Sequence, residues 1–367
     1  LKVKNTHMVS IQMLASDNPK KGQLGLVNLG NTCYLNAAIQ CLRHVPDLTV
    51  FFHKHSDTWI HDGSSAESTL CKAYKELVTG LWSQVGPAAM RPAGFLHYFR
   101  ASLKECPTYE HMITPQAHDS GEALTFLLDQ LHEGMRKPLK INVIAEETSP
   151  TYKALMAWKE QVAPKYSPIV DYFFGLMEVS ITCKGCSKVR CRYEPFNMLK
   201  VGFEDQKGST LENCMDYEFK PEEIDEYQCD DCSPDVPKDS PTPKAKRPPG
   251  FVQRKIWRLP QNLIVILKRF NPDRTKCHAD FSADPVQKFS KWFSEESPEL
   301  SKTAEYSLQS VVDHHGSANG GHYVAQVKSP ITGKWNVYDD DNVSMMKDGS
   351  QVFLGRPSYI LFFRKNS

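Results

Sequence analysis

Two short cysteine pairs, Cys183-x2-Cys186 and Cys229-x2-Cys232, constrain this chain more than any other feature. Each pair offers two thiolates at knuckle spacing, and four thiolates together close a tetrahedral zinc site with no open position for chemistry. The fold must therefore bring the two knuckles to one point, inside a stretch that otherwise reads as β. A redox role would need a strand-to-helix junction, which neither pair has. A nucleic-acid ribbon would need basic and aromatic support, and the formal net charge is only +1. Cys191 and Cys214 read as bystanders.

The chain has 367 residues, enough for two or three domains or one elaborated domain. Near-neutral charge gives no bulk case for nucleic acid or a membrane surface. No apolar run reaches the roughly 18 residues of a membrane span. The N-terminus lacks a signal-peptide core, and it also lacks an initiator Met, so it reads as the start of an excised fragment. The cysteine count of 11 is odd and spread along the chain, which suits reduced thiols in the cytoplasm or nucleus.

Patterning divides the chain. Residues 1–22 read as a leader. Leu35, Ile39 and Leu42 predict a helix over residues 33–43, with Thr32 as its N-cap. Residues 66–104 read as helical with a break near 86–92. Leu124, Leu127, Leu128, Leu131 and Met135 form the apolar stripe of a helix over 120–135. From Phe173 the texture turns to β. Residues 233–250, rich in Pro, Ser and Lys, read as a mobile loop. The run LIVIL at 263–267 predicts a buried strand, residues 271–303 read as irregular, and the C-terminal end is strand-rich. The fold class is α+β, with a β insertion carrying the cysteine pairs.

Chemistry concentrates at both ends of this arrangement. Cys33 opens the first helix just after a glycine turn, where unpaired N–H groups and the helix dipole favour a thiolate. Gly30 permits a close backbone approach, and the Asn28 amide can face a developing oxyanion. His322 starts an apolar strand after the glycines Gly320 and Gly321. A turn at residues 331–333 would fold the next strand back and set Asp339 beside His322, fixing the ring tautomer. Asp340 is the fallback for that role. Asp119 and Glu122 read as a capping box on the second clear helix.

These segments resemble the boxes of the ubiquitin-specific proteases. GLVNLGNTCYLN at 25–36 fits every fixed position of the family's cysteine box, and GGHY at 320–323 with WNVYDD at 335–340 fits its histidine box. LPQNLIVILKRF at 259–270 is similar to a further family strand. The resemblance implies a papain-like fold: a helical thumb at about 23–170, zinc-ribbon fingers at about 171–258 with the flexible insert 233–250, and a β-rich palm at about 259–367. It implies a thiol-dependent deubiquitinating protease, with Cys33, His322 and Asp339 catalytic and Asn28 at the oxyanion. Asp119, Glu122, His314 and Tyr323 would contact the ubiquitin tail, with His315 less suited than His314. His118 and Ala123 depart from the family's usual Gln and larger apolar residue. Ubiquitin or ubiquitinated proteins are the implied partners, with regulatory proteins besides. Two alternatives use the same fold: a ubiquitin-binding scaffold with weak activity, and a protease for another ubiquitin-like modifier.

Overall fold

A computed structural model describes residues 21–83, 89–205, 208–233, 247–301, 305–346 and 351–366. The expected leader thus falls almost wholly outside the described residues, and so do 234–246 of the expected mobile loop. The segment after Thr32 is apolar or small on nearly every side, and a helix of that kind belongs in an interior. α1 (Cys33–Leu42) is buried at all ten positions. α2 (Pro46–Lys54), α3 (Ala66–Ser83), α4 (Ala93–Lys104), α5 (Ser120–Glu133), α6 (Pro150–Val162) and α7 (Pro168–Phe173) follow; α5 packs directly on α1, while α6 joins a separate cluster with Leu176, Tyr193 and Trp257.

The strands then begin with β1 (Gly175–Cys183), β2 (Val189–Phe196), β3 (Leu199–Val201) and β4 (Ser209–Thr210). A short helix, α8 (Leu211–Glu218), precedes β5 (Glu222–Ile224), β6 (Gly250–Arg258) and β7 (Asn262–Leu267). Next come β8 (Phe281–Ser282), β9 (Val286–Lys288), β10 (Glu305–Ser317) and β11 (Gly320–Lys328). The last are β12 (Trp335–Asp339), β13 (Asn342–Met345) and β14 (Ser358–Lys365). Among the described residues, one four-stranded sheet runs β2-β1-β6-β5. An eight-stranded sheet runs β13-β12-β11-β10-β14-β7-β3, with β9 also on β10.

Two cores explain how the layers join. α1 and α5 share one apolar cluster with Ile264, Val312, Tyr323, Ala325, Tyr338 and Ile360 of the large sheet. The helical layer is therefore welded to the sheet rather than hinged on it, at roughly 1.5–3 kcal/mol per fully buried large aliphatic or aromatic side chain. The opposite face of the same sheet covers Leu211, Cys214 and Met215 of α8 together with Phe289 and Trp292.

Several sequence-based boundaries move. β3 pairs in parallel with β7, and α8 packs on the large sheet, so residues 199–218 do not belong to the cysteine-bearing insertion. Pairing decides this: β3 adds to the edge of the large sheet, and α8 shares a core with Leu263, Val265 and Leu267 of β7. Both described ends of the 233–250 stretch are tied into the fold. Ser233 is buried, the Pro248 carbonyl accepts from the Tyr227 N–H at 2.7 Å, and Gly250 is already in β6. Residues 271–303 contain the short strands β8 and β9. α6 carries no strong apolar stripe, but Ser149 caps it by accepting from the Tyr152 N–H at 3.1 Å, with Pro150 next in line. Thr32 makes no cap of the ordinary kind. Its hydroxyl instead accepts from the Leu29 N–H and bonds Asn28 Oδ1, bracing the turn before α1.

Candidate active site and metal centre

α1 packs on β11, and the Tyr323 backbone, one residue after His322, hydrogen-bonds the Cys33 sulfur. Cys33 is only 4% exposed. Burial pushes its thiol up; the Tyr323 backbone amide opposes this, Asp340 adds to it, and the N–H groups of Tyr34 and Cys33 itself also pull down. Desolvation outweighs the helix terminus, so the net shift runs opposite to the one expected from the helix position. No hydrogen bond joins Cys33 to His322 among the described residues.

His322 and Asp339 do meet. β11 and β12 pair from Lys328↔Trp335 to Ala325↔Tyr338 across the turn at 331–333. That register carries Asp339 to His322, with Nε2 to Oδ1 at 2.5 Å. The other ring nitrogen, Nδ1, is left for proton exchange.

Asp340 has a different job. Its carboxylate accepts from Asn28 Nδ2 and from Asn36 Nδ2, both at 2.8 Å, and its carbonyl accepts the Leu26 N–H at 2.8 Å. The turn reaches this position because Asp340 takes a left-handed φ of 50° and because Gly25 has no Cβ. A methyl there would sit 2.4 Å from the Asp341 carbonyl oxygen. Asn28 is held from both ends, since its Oδ1 accepts from the N–H groups of Gly30 and Thr32. Its Nδ2 keeps a second amide hydrogen beyond the one given to Asp340.

A cleft of about 840 Å³ lies alongside, lined by Tyr323 and by the glycines before His322 but not by Cys33, Asn28, His322 or Asp339 themselves. It is lined by Asp119, Glu122, His314 and Tyr323, with Gly320 and Gly321 at the end that adjoins His322. Asp119 caps α5 by accepting from the Glu122 N–H at 2.8 Å. Glu122 does not return the bond as a capping box would; its carboxylate meets His111 Nε2 at 3.1 Å, because both side chains lie at the open rim. Tyr359, which sequence reasoning missed, donates to both oxygens of Asp119 at 2.8 and 2.7 Å. Burial raises the Asp119 carboxyl, while Tyr359 and the Glu122 amide lower it. His314 is buried against Tyr323, ring centroids 4.5 Å apart. Burial, followed by the Lys276 charge, lowers its pKa to about 3, so its ring is neutral. His315 lies opposite His322 in the β10–β11 ladder.

The four knuckle cysteines come together at one end of the small sheet. Their sulfurs all lie within 4.8 Å of one another, with Cys183 to Cys232 at 3.8 Å and Cys186 to Cys229 at 3.7 Å. Four sulfurs at the usual zinc–sulfur distance of about 2.3 Å would stand about 3.8 Å apart on a tetrahedron, so the set fits such an ion. The Gly185 N–H donates to Cys183 Sγ at 3.3 Å. Lys188 and Arg190 strap the first knuckle to Asp230 and Asp231 of the second. The donor set can hold a metal ion. Cys191 is exposed on β2, and Cys214 is buried in α8. All eleven cysteines carry free thiols.

Comparison with known proteins places this architecture. The model of the family described as ubiquitin carboxyl-terminal hydrolase matches residues 24–363. The Drosophila melanogaster ubiquitin carboxyl-terminal hydrolase Usp2 is 26% identical over 351 residues, covering 95% of this chain and 35% of that protein. Human ubiquitin carboxyl-terminal hydrolase 2 is 27% identical over 357 residues, covering 94% of this chain and 55% of that protein. The chain thus spans between about a third and about half of the curated relatives' length. A chain in the structure of the SAGA Ubp8/Sgf11/Sus1/Sgf73 DUB module bound to ubiquitin aldehyde superimposes with a TM-score of 0.69 at 22% identity. That superposition covers 95% of this chain and 70% of that one, and it shows a shared fold. With a family match that runs from the first described segment into the last strand, the chain belongs to the ubiquitin carboxyl-terminal hydrolases.

Proposed function

We propose that this chain is the catalytic region of a deubiquitinating cysteine protease. It would hydrolyse the peptide or isopeptide bond after the C-terminal glycine of ubiquitin through a thioester. The observation that carries this reading is the His322–Asp339 contact of 2.5 Å, with Tyr323, the next residue, bonded through its backbone to Cys33 at a helix N-terminus and lining a cleft with acids along it. The helices up to Phe173 act as the thumb, the four-stranded sheet as the fingers and the eight-stranded sheet as the palm.

The steps follow from the residues. A basic, extended tail enters along Asp119 and Glu122, carboxylates suited to guanidinium partners. For Glu122 this means releasing His111. Gly320 and Gly321 leave a narrow passage that a tail ending in glycines can use. Because the thiol is buried, His322 acts as general base at the moment of attack, taking the Cys33 proton on Nδ1. The sulfur–carbon bond forms, and the oxyanion is met by Asn28 and the Cys33 N–H, each worth on the order of 3 kcal/mol. His322 returns its proton to the departing amine as the carbon–nitrogen bond breaks. Water, deprotonated by His322, then attacks the thioester, and the thiol is restored. Asp339 stabilises the imidazolium in both halves.

Zinc is the ion proposed for Cys183, Cys186, Cys229 and Cys232, with a structural role only. The free thiols and the metal-type cluster suit a reducing compartment, cytoplasmic or nuclear. No helix among the described residues is long and apolar enough to cross a membrane.

Three measurements test these assignments. Cys33→Ala abolishes cleavage of a ubiquitin–fluorophore conjugate while ubiquitin still binds; residual turnover refutes the nucleophile. Asp339→Ala lowers kcat by on the order of a hundredfold or more, and a mild effect would transfer its role to Asp340. Elemental analysis finds about one zinc per chain, lost with Cys183→Ser or Cys229→Ser; a metal-free, fully folded protein would remove zinc from the account.

A further inference from the structure

Lys276 is buried, at 8% exposure, and it has no part in the chemistry described above. Its Nζ donates to the carbonyl oxygens of His314 at 2.7 Å and Gly316 at 3.3 Å. Those carbonyls flank His315, and His315 is the residue that faces His322 across the β10–β11 ladder. The hairpin transmits position because it has no slack. Gly316 has a φ of 120°, and a Cβ on it would lie 2.6 Å from the Gly320 carbonyl oxygen. A Cβ on Gly321 would lie 2.2 Å from the His315 carbonyl oxygen.

The other end of the staple is equally fixed. Phe270 and Lys276 bridge across a small hairpin closed by the Asn271 N–H to the Thr275 carbonyl at 3.0 Å. The Cys277 N–H donates to the Arg269 carbonyl at 2.7 Å. Arg269 in turn grips the carbonyls of Cys277 and Ala279 at 3.0 and 2.9 Å and that of Ser358 at the start of β14. Both hairpins line the cleft, one through Asn271 and Arg274, the other through residues 317–321.

On the hydrolase reading given above, we propose that Lys276 is a positioning residue for the reaction. It staples the 270–276 hairpin to the β10–β11 hairpin, so that the tail passage and His322 keep one geometry. Burying an ammonium without a paired carboxylate is costly, and an apolar side chain of the same length would fill the space more cheaply. Burial and Arg269 lower its pKa to about 8, against the pull of Asp313, which leaves a strong donor near neutrality. Misplacement of a reacting group by about 1 Å costs on the order of a hundredfold in rate, so this staple acts on kcat.

The test is steady-state kinetics on a ubiquitin–fluorophore conjugate with wild type, Lys276→Met and Lys276→Arg, each checked for cooperative unfolding. Lys276→Met lowers kcat by roughly ten- to a hundredfold with KM little changed, and Lys276→Arg recovers most of the loss. A folded Lys276→Met with kcat near that of wild type overturns the proposal, as does a folded Lys276→Arg no better than Met, which would make the role one of filling space. Should Lys276→Met fail to fold, amide hydrogen exchange on the wild type decides. Residues 271–277 and 315–322 then open together with one denaturant dependence, and independent opening refutes the staple. An inactive wild type would count against the hydrolase reading itself, a result distinct from either failure.

Discussion

One turn, the Asp339–Asp340 step at the end of β12, organises the site. Its first carboxylate faces His322 in the sheet, and its second faces Asn28 and Asn36 on the segment that carries Cys33. Two adjacent side chains on a strand point to opposite sides, and the left-handed Asp340 sharpens the divergence. The turn therefore fixes the His322 imidazole and the Asn28 amide in a single frame, across more than three hundred residues of sequence. The glycine at position 25 exists for this contact, since the two backbones meet where a side chain would stand.

That frame explains why the helical layer and the large sheet share a core instead of moving as separate bodies. Tyr338, one residue before the acidic pair, is buried under α1 and donates to the Gly22 carbonyl at 2.9 Å. Arg43, the residue after α1, is wholly buried against Tyr338 and Trp82. So much rigidity leaves Cys33 almost wholly buried, and that burial raises its thiol pKa. On the proposed function, activation then rests on His322 and not on the helix dipole alone.

Much of this was legible in the sequence because it is written in short local strings. The glycine turn before Cys33, the paired glycines before His322 and the two cysteine knuckles each need particular residue types at fixed spacing. What was not legible depends on partners far along the chain. Glu122 reads as half of a capping box until His111 is seen at the same rim. Lys276 is an unremarkable loop lysine until β10 is folded beside it. β3 and α8 read as part of the cysteine-bearing insertion because their few apolar residues show no clear period, and only burial against β7 and Phe289 assigns them to the large sheet. Thr32 has the right type and position for an N-cap, yet its hydroxyl oxygen accepts from the Leu29 N–H, behind the helix, instead of from α1.

The central claim is that a single buried thiol, at the head of α1, becomes nucleophilic when a flexible tail occupies the groove. A ubiquitin carrying an electrophile in place of its last carboxyl group tests it directly, with the modified residue located by peptide mass mapping. The account predicts one adduct per chain, on Cys33. An unmodified protein, or an adduct on an outward-facing thiol such as Cys191, would contradict it.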